Sequence, residues 1–197
     1  MNQNPLLSRQ FLIPFRDIQA RHVEPGVREV LSRAQARVDA LASDETPGTW
    51  ENTIRLLDSI TQEVSESLTP IHHLLSVAET PELREAFNAV LPDITGFWSR
   101  LPLNEGLWKR VKEFSQTDEA SGLEGIQARH LDKTLREFRR AGADLPPEAK
   151  KRLEDLRLEL AKLQRKFSEN VLDATGDFSL HETDRKRLEG IPQGPLG

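Results

Sequence analysis

At 197 residues with a formal net charge of −5, the chain is long enough to bury one core, and its acidic balance argues against nucleic acid as the main partner. Cysteine is absent, which excludes a disulfide framework and a thiolate zinc site and suits a reducing compartment, the cytoplasm. With 37% hydrophobic residues and no long apolar run, the sequence suggests neither a membrane span nor a signal-peptide core, but a thin helical core.

Residues 1–24 read as an extended arm, because Pro5 and Pro14 interrupt every short apolar run and Phe11, Ile13 and Phe15 alternate without a helical period. A helical domain is expected over 25–176. Val27, Val30, Leu31, Ala34, Val38 and Leu41 form the stripe of its first long helix, which ends before the turn-rich Ser43–Gly48 segment. Thr49 is suited to cap the next helix, which carries Ile54, Leu57, Val64 and Leu68, is expected to bend at Pro70, and runs to about Val77. Thr80 and Pro81 repeat the cap-then-proline start for a third helix carrying Leu83, Phe87, Val90, Ile94 and Phe97, interrupted at Pro92. A shorter helix spans 103–114, and Ile126, Leu131, Leu135 and Phe138 mark another that Gly142 closes.

The longest pattern lies last, from Leu145 to Thr175. Leu153, Leu156, Leu160, Leu163 and Phe167 alternate spacings of three and four, which predicts one apolar face and the burial of Phe167. Pro146 and Pro147 sit where a first turn needs no amide donor, and Gly176 stands where a left-handed terminating residue is needed. The short link Ala143–Asp144 predicts an antiparallel hairpin with the preceding helix. Beyond it, 177–197 reads as a short strand, Asp177–Thr183 with Phe178 and Leu180 on one face, and then a loop. The fold expected is all-α, elongated, with six or seven helices.

Residue chemistry stops short of an active site. His72 and His73 are adjacent on a helix, so their side chains diverge by roughly 100°, whereas paired ligands want a separation of three or four. His181-Glu182 begins like H-E-x-x-H, but Arg185 stands at the second histidine position. His22 and His130 have no supporting ligand at useful spacing and read as partly buried hydrogen-bonding residues. No G-x-S-x-G elbow, Walker loop or G-x-G-x-x-G is present. Arg136, Arg139 and Arg140 end a helix, where positive charge favours the dipole, and Arg185-Lys186-Arg187 is too short to mean more than solvation.

Longer patterns say more. NPLL at 4–7, TWEN at 49–52, HHLLSV at 72–77, PELREAF at 81–87, LREF…LPPEAKKR…FSENVLDAT over 135–175 and RLEGIP at 187–192 occur in one register. Together they resemble the amino-terminal part of the oligopeptidase A and thimet oligopeptidase family of zinc metallopeptidases. The resemblance implies a mostly helical wall of a channel that admits short peptides. It also implies a zinc-bearing carboxy-terminal lobe, whose H-E-x-x-H helix and third, glutamate ligand have no counterpart in this sequence. No catalytic, cofactor-binding or metal-ligating residue is therefore assigned here.

Three functions remain open at this point: the substrate-gating domain of a zinc oligopeptidase, inactive alone; a free-standing helical module that binds peptide or protein; and a nonfunctional remnant of a split gene. Under the first, short peptides and the zinc-bearing lobe are the expected partners, and apolar faces left uncovered would drive self-association.

Overall fold

The apolar spacing resolves into seven α-helices among the described residues of a computed structural model, which describes 4–8, 12–184, 187 and 189–190. They are α1 (Ala20–Ser43), α2 (Leu56–Val77), α3 (Pro81–Arg100), α4 (Glu105–Phe114), α5 (Asp118–Ser121), α6 (Gly125–Arg140) and α7 (Pro147–Asp177). A π-helical turn, Trp50–Arg55, leads directly into α2. Contacts divide the chain into two units, one up to Leu158 and one from Glu159, so the division falls within α7.

In the first unit α1 is the central element, packing on α2, α3 and α4. Its stripe is buried as the spacing predicts: Val27, Val30, Val38 and Leu41 meet Ile60, Val64, Ile71, Val90, Leu107 and Phe114 in one core. The helix starts at Ala20 rather than at Pro25. Gln19 and His22 form a reciprocal cap, with the Gln19 amide donating to His22 Nδ1 at 3.1 Å, and the fully buried Val23 extends the apolar face into this turn. Pro25 is carried inside the helix at the loss of one early hydrogen bond.

Side chains also cap the starts of the π turn before α2, of α3 and of α4. Thr49 and Asn52 exchange hydrogen bonds across the π turn, Thr80 accepts from the Leu83 amide with Pro81 at the first position, and Asn104 accepts from the Leu107 amide. Each satisfies a donor that helix geometry leaves unpaired. The start of α4 lies so close to the end of α1 that a Cβ on Gly106 would stand 2.7 Å from the Ala42 carbonyl oxygen. Only glycine fits there without displacing backbone.

The amino-terminal segment is more folded than an extended arm. Pro5–Leu7 and Phe15–Asp17 are 3-10 turns. Asn4 fastens the first of them, since its Oδ1 accepts from the Leu6 amide and its Nδ2 donates to the His22 carbonyl at 2.7 Å, while Leu6 is buried in the core.

Gly142 closes α6 as its sequence position predicts. It adopts φ +99°, and the amides of Ala141, Gly142 and Ala143 return to the carbonyls of Glu137, Arg139 and Phe138. A short turn then leads into α7, whose first part is tied down by charge: Arg157 donates to the Ser99 and Ala141 carbonyls, and Lys150 pairs with Glu105 at 3.3 Å.

Three expectations for α7 and its sequel are corrected. The apolar face is exposed: Leu156 is 44% accessible in the first unit, and Leu160, Leu163 and Phe167 are 53%, 59% and 69% accessible in the second. No described residue of the second unit forms an element that packs on this face. Gly176 does not terminate the helix in a left-handed conformation; α7 continues through it to Asp177. The strand expected at 177–183 is absent, because Phe178 and Leu180 are exposed and no neighbouring strand exists among the described residues to take up its backbone hydrogen bonds. RLEGIP and the basic run fall largely outside the described residues.

Candidate functional site

The four histidines of the first unit make separate packing and capping contacts. His22 caps α1, His73 lies tilted against Phe15 with ring centroids 5.2 Å apart, His72 lies edge-on to Phe87 at 5.1 Å, and His130 lies edge-on to Trp50 at 5.8 Å. Partial burial lowers the pKa of His72. His181 belongs to the second unit. Among the described residues no three His, Cys, Asp or Glu side chains converge to hold a metal ion. The donor set does not fit the zinc of the resembled peptidases, and no chemical step is derived through it.

Two of the arginines near the end of α6 make structural contacts. Arg136 pairs with Asp132, and Arg139 lies 5.8 Å over the Trp108 ring, whose indole N–H donates to Asp144 at 3.0 Å. Phe138 stacks on the same ring at 5.7 Å, so α6 is anchored to α4 by an aromatic pair with cationic cover.

Among the clefts that described residues line in the first unit, three differ in their chemistry. One, of about 410 Å³, lies beneath the amino-terminal turns and mixes Leu7, Ile13 and Val30 with Arg33, Glu63 and Glu66. A second, of about 520 Å³, gathers Arg100, Lys150 and Lys151 with Glu105 and Glu154, and these charges are largely paired with one another.

The third, of about 560 Å³, differs in chemistry. It lies between α2 and α6 and is lined also by Trp98, Leu101 and Pro102. It exists because α6 packs on α4 and on the 3-10 turn Leu101–Leu103, leaving room along α2. Its floor is Ile54, Leu57 and Phe138, and its charged lining is Asp58 and Glu137, with no lysine or arginine. The hydroxyls of Thr61 and Ser65 bond back to carbonyls of α2, which makes that wall less polar than its sequence suggests. His130 is held at the rim by Trp50, whose amide donates to Glu119 at 2.9 Å.

Sequence reasoning did not find this groove. TWEN is the nearest signal, since it caps and opens the π turn that carries Trp50 and Ile54. Asp58, Glu137 and Trp98 are separated in sequence and meet only through the packing of α6.

Comparison with known proteins places this architecture. Residues 27–152 match the family described as Neurolysin/Thimet oligopeptidase, N-terminal domain. The chain is 33% identical over 193 residues to oligopeptidase A of Escherichia coli (strain K12), covering 98% of this chain and 28% of that protein. It is 34% identical over 197 residues to the organellar oligopeptidase A of Arabidopsis thaliana, covering all of this chain and 25% of the relative. Oligopeptidase A of Haemophilus influenzae is 28% identical over 193 residues, again with 28% of the relative covered. The chain thus spans about a quarter of the length of these curated relatives.

Proposed function

The chain belongs to the neurolysin/thimet oligopeptidase family as its N-terminal domain, and from that premise we propose that it forms the access wall of a zinc-dependent oligopeptidase acting on short peptides. The match over 27–152 carries this reading. The wall admits extended peptides and excludes folded proteins, while zinc, its bound water and the general base belong to a carboxy-terminal lobe supplied by polypeptide beyond these residues. The cysteine-free sequence supports work in the cytoplasm.

The exposed face of α7 supports the partner assignment. Leu160, Leu163 and Phe167 present apolar surface at helical spacing, which is costly to leave in water and suited to another protein surface. The occupant proposed is the zinc-bearing lobe, with self-association of the chain when that lobe is missing.

Mixing the chain with a separately expressed carboxy-terminal lobe tests the proposal. Co-elution together with chelator-sensitive cleavage of a quenched fluorescent peptide is the expected result. A chain that stays monomeric, ignores the lobe and binds peptide alone would be an independent binding module instead.

A further inference from the structure

We propose that the groove between α2 and α6 binds a peptide segment in which a lysine or arginine is flanked by apolar residues, a substrate class that rests on the oligopeptidase reading above. Three observations carry it. The floor formed by Ile54, Leu57 and Phe138 is apolar, and its volume of about 560 Å³ has room for several side chains.

The charged lining is of one sign. Asp58 and Glu137 stand at the groove with no cationic lining residue, whereas the other two clefts each contain arginine together with glutamate. Asp58 has no ion-pair partner among the described residues, and Glu137 has only the long contact of 3.6 Å to the exposed Lys133. An incoming ammonium or guanidinium therefore meets carboxylates that little else in the first unit neutralises. An acidic segment meets the same field as repulsion.

Trp98 supplies the third observation. It is half-buried, its ring contacts Phe97, and no described residue accepts its indole N–H. Such a donor beside an apolar floor suits the carbonyl of an extended peptide, while its ring gives the cation or an apolar side chain a flat surface. The basic side chain then lies between Asp58 and Glu137, and the flanking apolar residues cover Leu57 and Phe138.

The test uses the full chain with two blocked pentapeptides, Leu-Arg-Leu-Lys-Leu and Leu-Glu-Leu-Asp-Leu, titrated by calorimetry and tryptophan fluorescence. The basic peptide is expected to bind about tenfold or more tightly than the acidic one, with the preference shrinking as salt rises. Asp58→Asn should weaken it about two- to fivefold, as loss of one exposed charge contact does. Asp58→Lys with Glu137→Lys should reverse the preference, and Trp98→Phe should remove most of the fluorescence change. Should the lysine pair unfold the chain, Asp58→Asn and the salt series carry the same test.

Equal affinity for both peptides, or a preference that Asp58→Asn and salt leave untouched, overturns the groove assignment. A chain dimer that the lysine pair dissolves overturns it as well, because the occupant is then a second copy. These outcomes are separate from the fate of the oligopeptidase reading, which stands or falls on association with the zinc-bearing lobe and on restored cleavage of an uncharged peptide.

Discussion

Arg110 shows how a single buried cation organises a loop. Its side chain is 6% accessible, its Nη1 donates to the carbonyls of Asp44 and Thr46, and its Nη2 lies 2.9 Å from Asp44 Oδ2. The Ser43–Gly48 turn is thereby fixed against α4. Arg110→Met keeps the stem and strands both carbonyls, so urea denaturation should show a loss of about 1–3 kcal/mol. Asp44 also accepts from the Thr46 amide and hydroxyl, and these bonds, with the Arg110 charge, hold its carboxyl below the ordinary carboxylate value. Because the unfolded chain binds that proton more readily, the contribution is fully present above about pH 4 and is lost as pH falls through the lower folded value. Asp44→Asn should flatten this part of the acid limb when the urea midpoint is followed from neutral to acid pH. At this scale the caps were legible: Thr49, Thr80 and Gly142 act as their types predict, because capping needs only local chain geometry. Arg110 was not legible, since its partners lie more than sixty residues away.

Among the elements, α7 separates what periodicity can say from what it cannot. Spacing identifies the face that wants cover, and α7 has that face, but whether the cover belongs to the same chain is a tertiary fact. Phe167→Ala should therefore cost less than about 1 kcal/mol in the isolated chain, near the range for exposed positions. Phe114→Ala, at a fully buried position where α4 meets α1, should cost about 3–5 kcal/mol. Parallel chemical denaturation of the two variants checks the contrast, and equal losses would place Phe167 in a core. Gly106→Ala adds a methyl at the α1–α4 crossing against the Ala42 carbonyl, a backbone neighbour that cannot rotate away. A loss of about 1–3 kcal/mol is expected from this overpacking, read as a lower thermal midpoint. The strand expected after residue 176 failed for a related reason, since alternating Phe178 and Leu180 resemble a strand only if a partner edge is present.

For the whole molecule, the all-α class and the order of the helices other than the short α5 could be read from the sequence, because three-four spacing and caps agreed with one another. The groove between α2 and α6 could not, because it arises from how α6 leans on Trp108 and on the Leu101–Leu103 turn. If α7 meets a zinc-bearing lobe, Phe167→Ala should weaken co-elution with that lobe while leaving the chain's own unfolding curve nearly unchanged. A variant that associates as well as the parent would move the contact to another face.

The π-helical turn at Trp50–Arg55 has a further consequence for how the chain tolerates change. A turn with an extra residue acts as a phase setting between the segment before it and the helix after it, and each residue removed rotates one against the other by roughly 100°. Substitutions within the turn preserve that angle, but a one-residue deletion would swing Trp50 off His130 and unhook the rim of the groove while α2 kept its core contacts. Along these six positions, length is therefore under tighter constraint than composition.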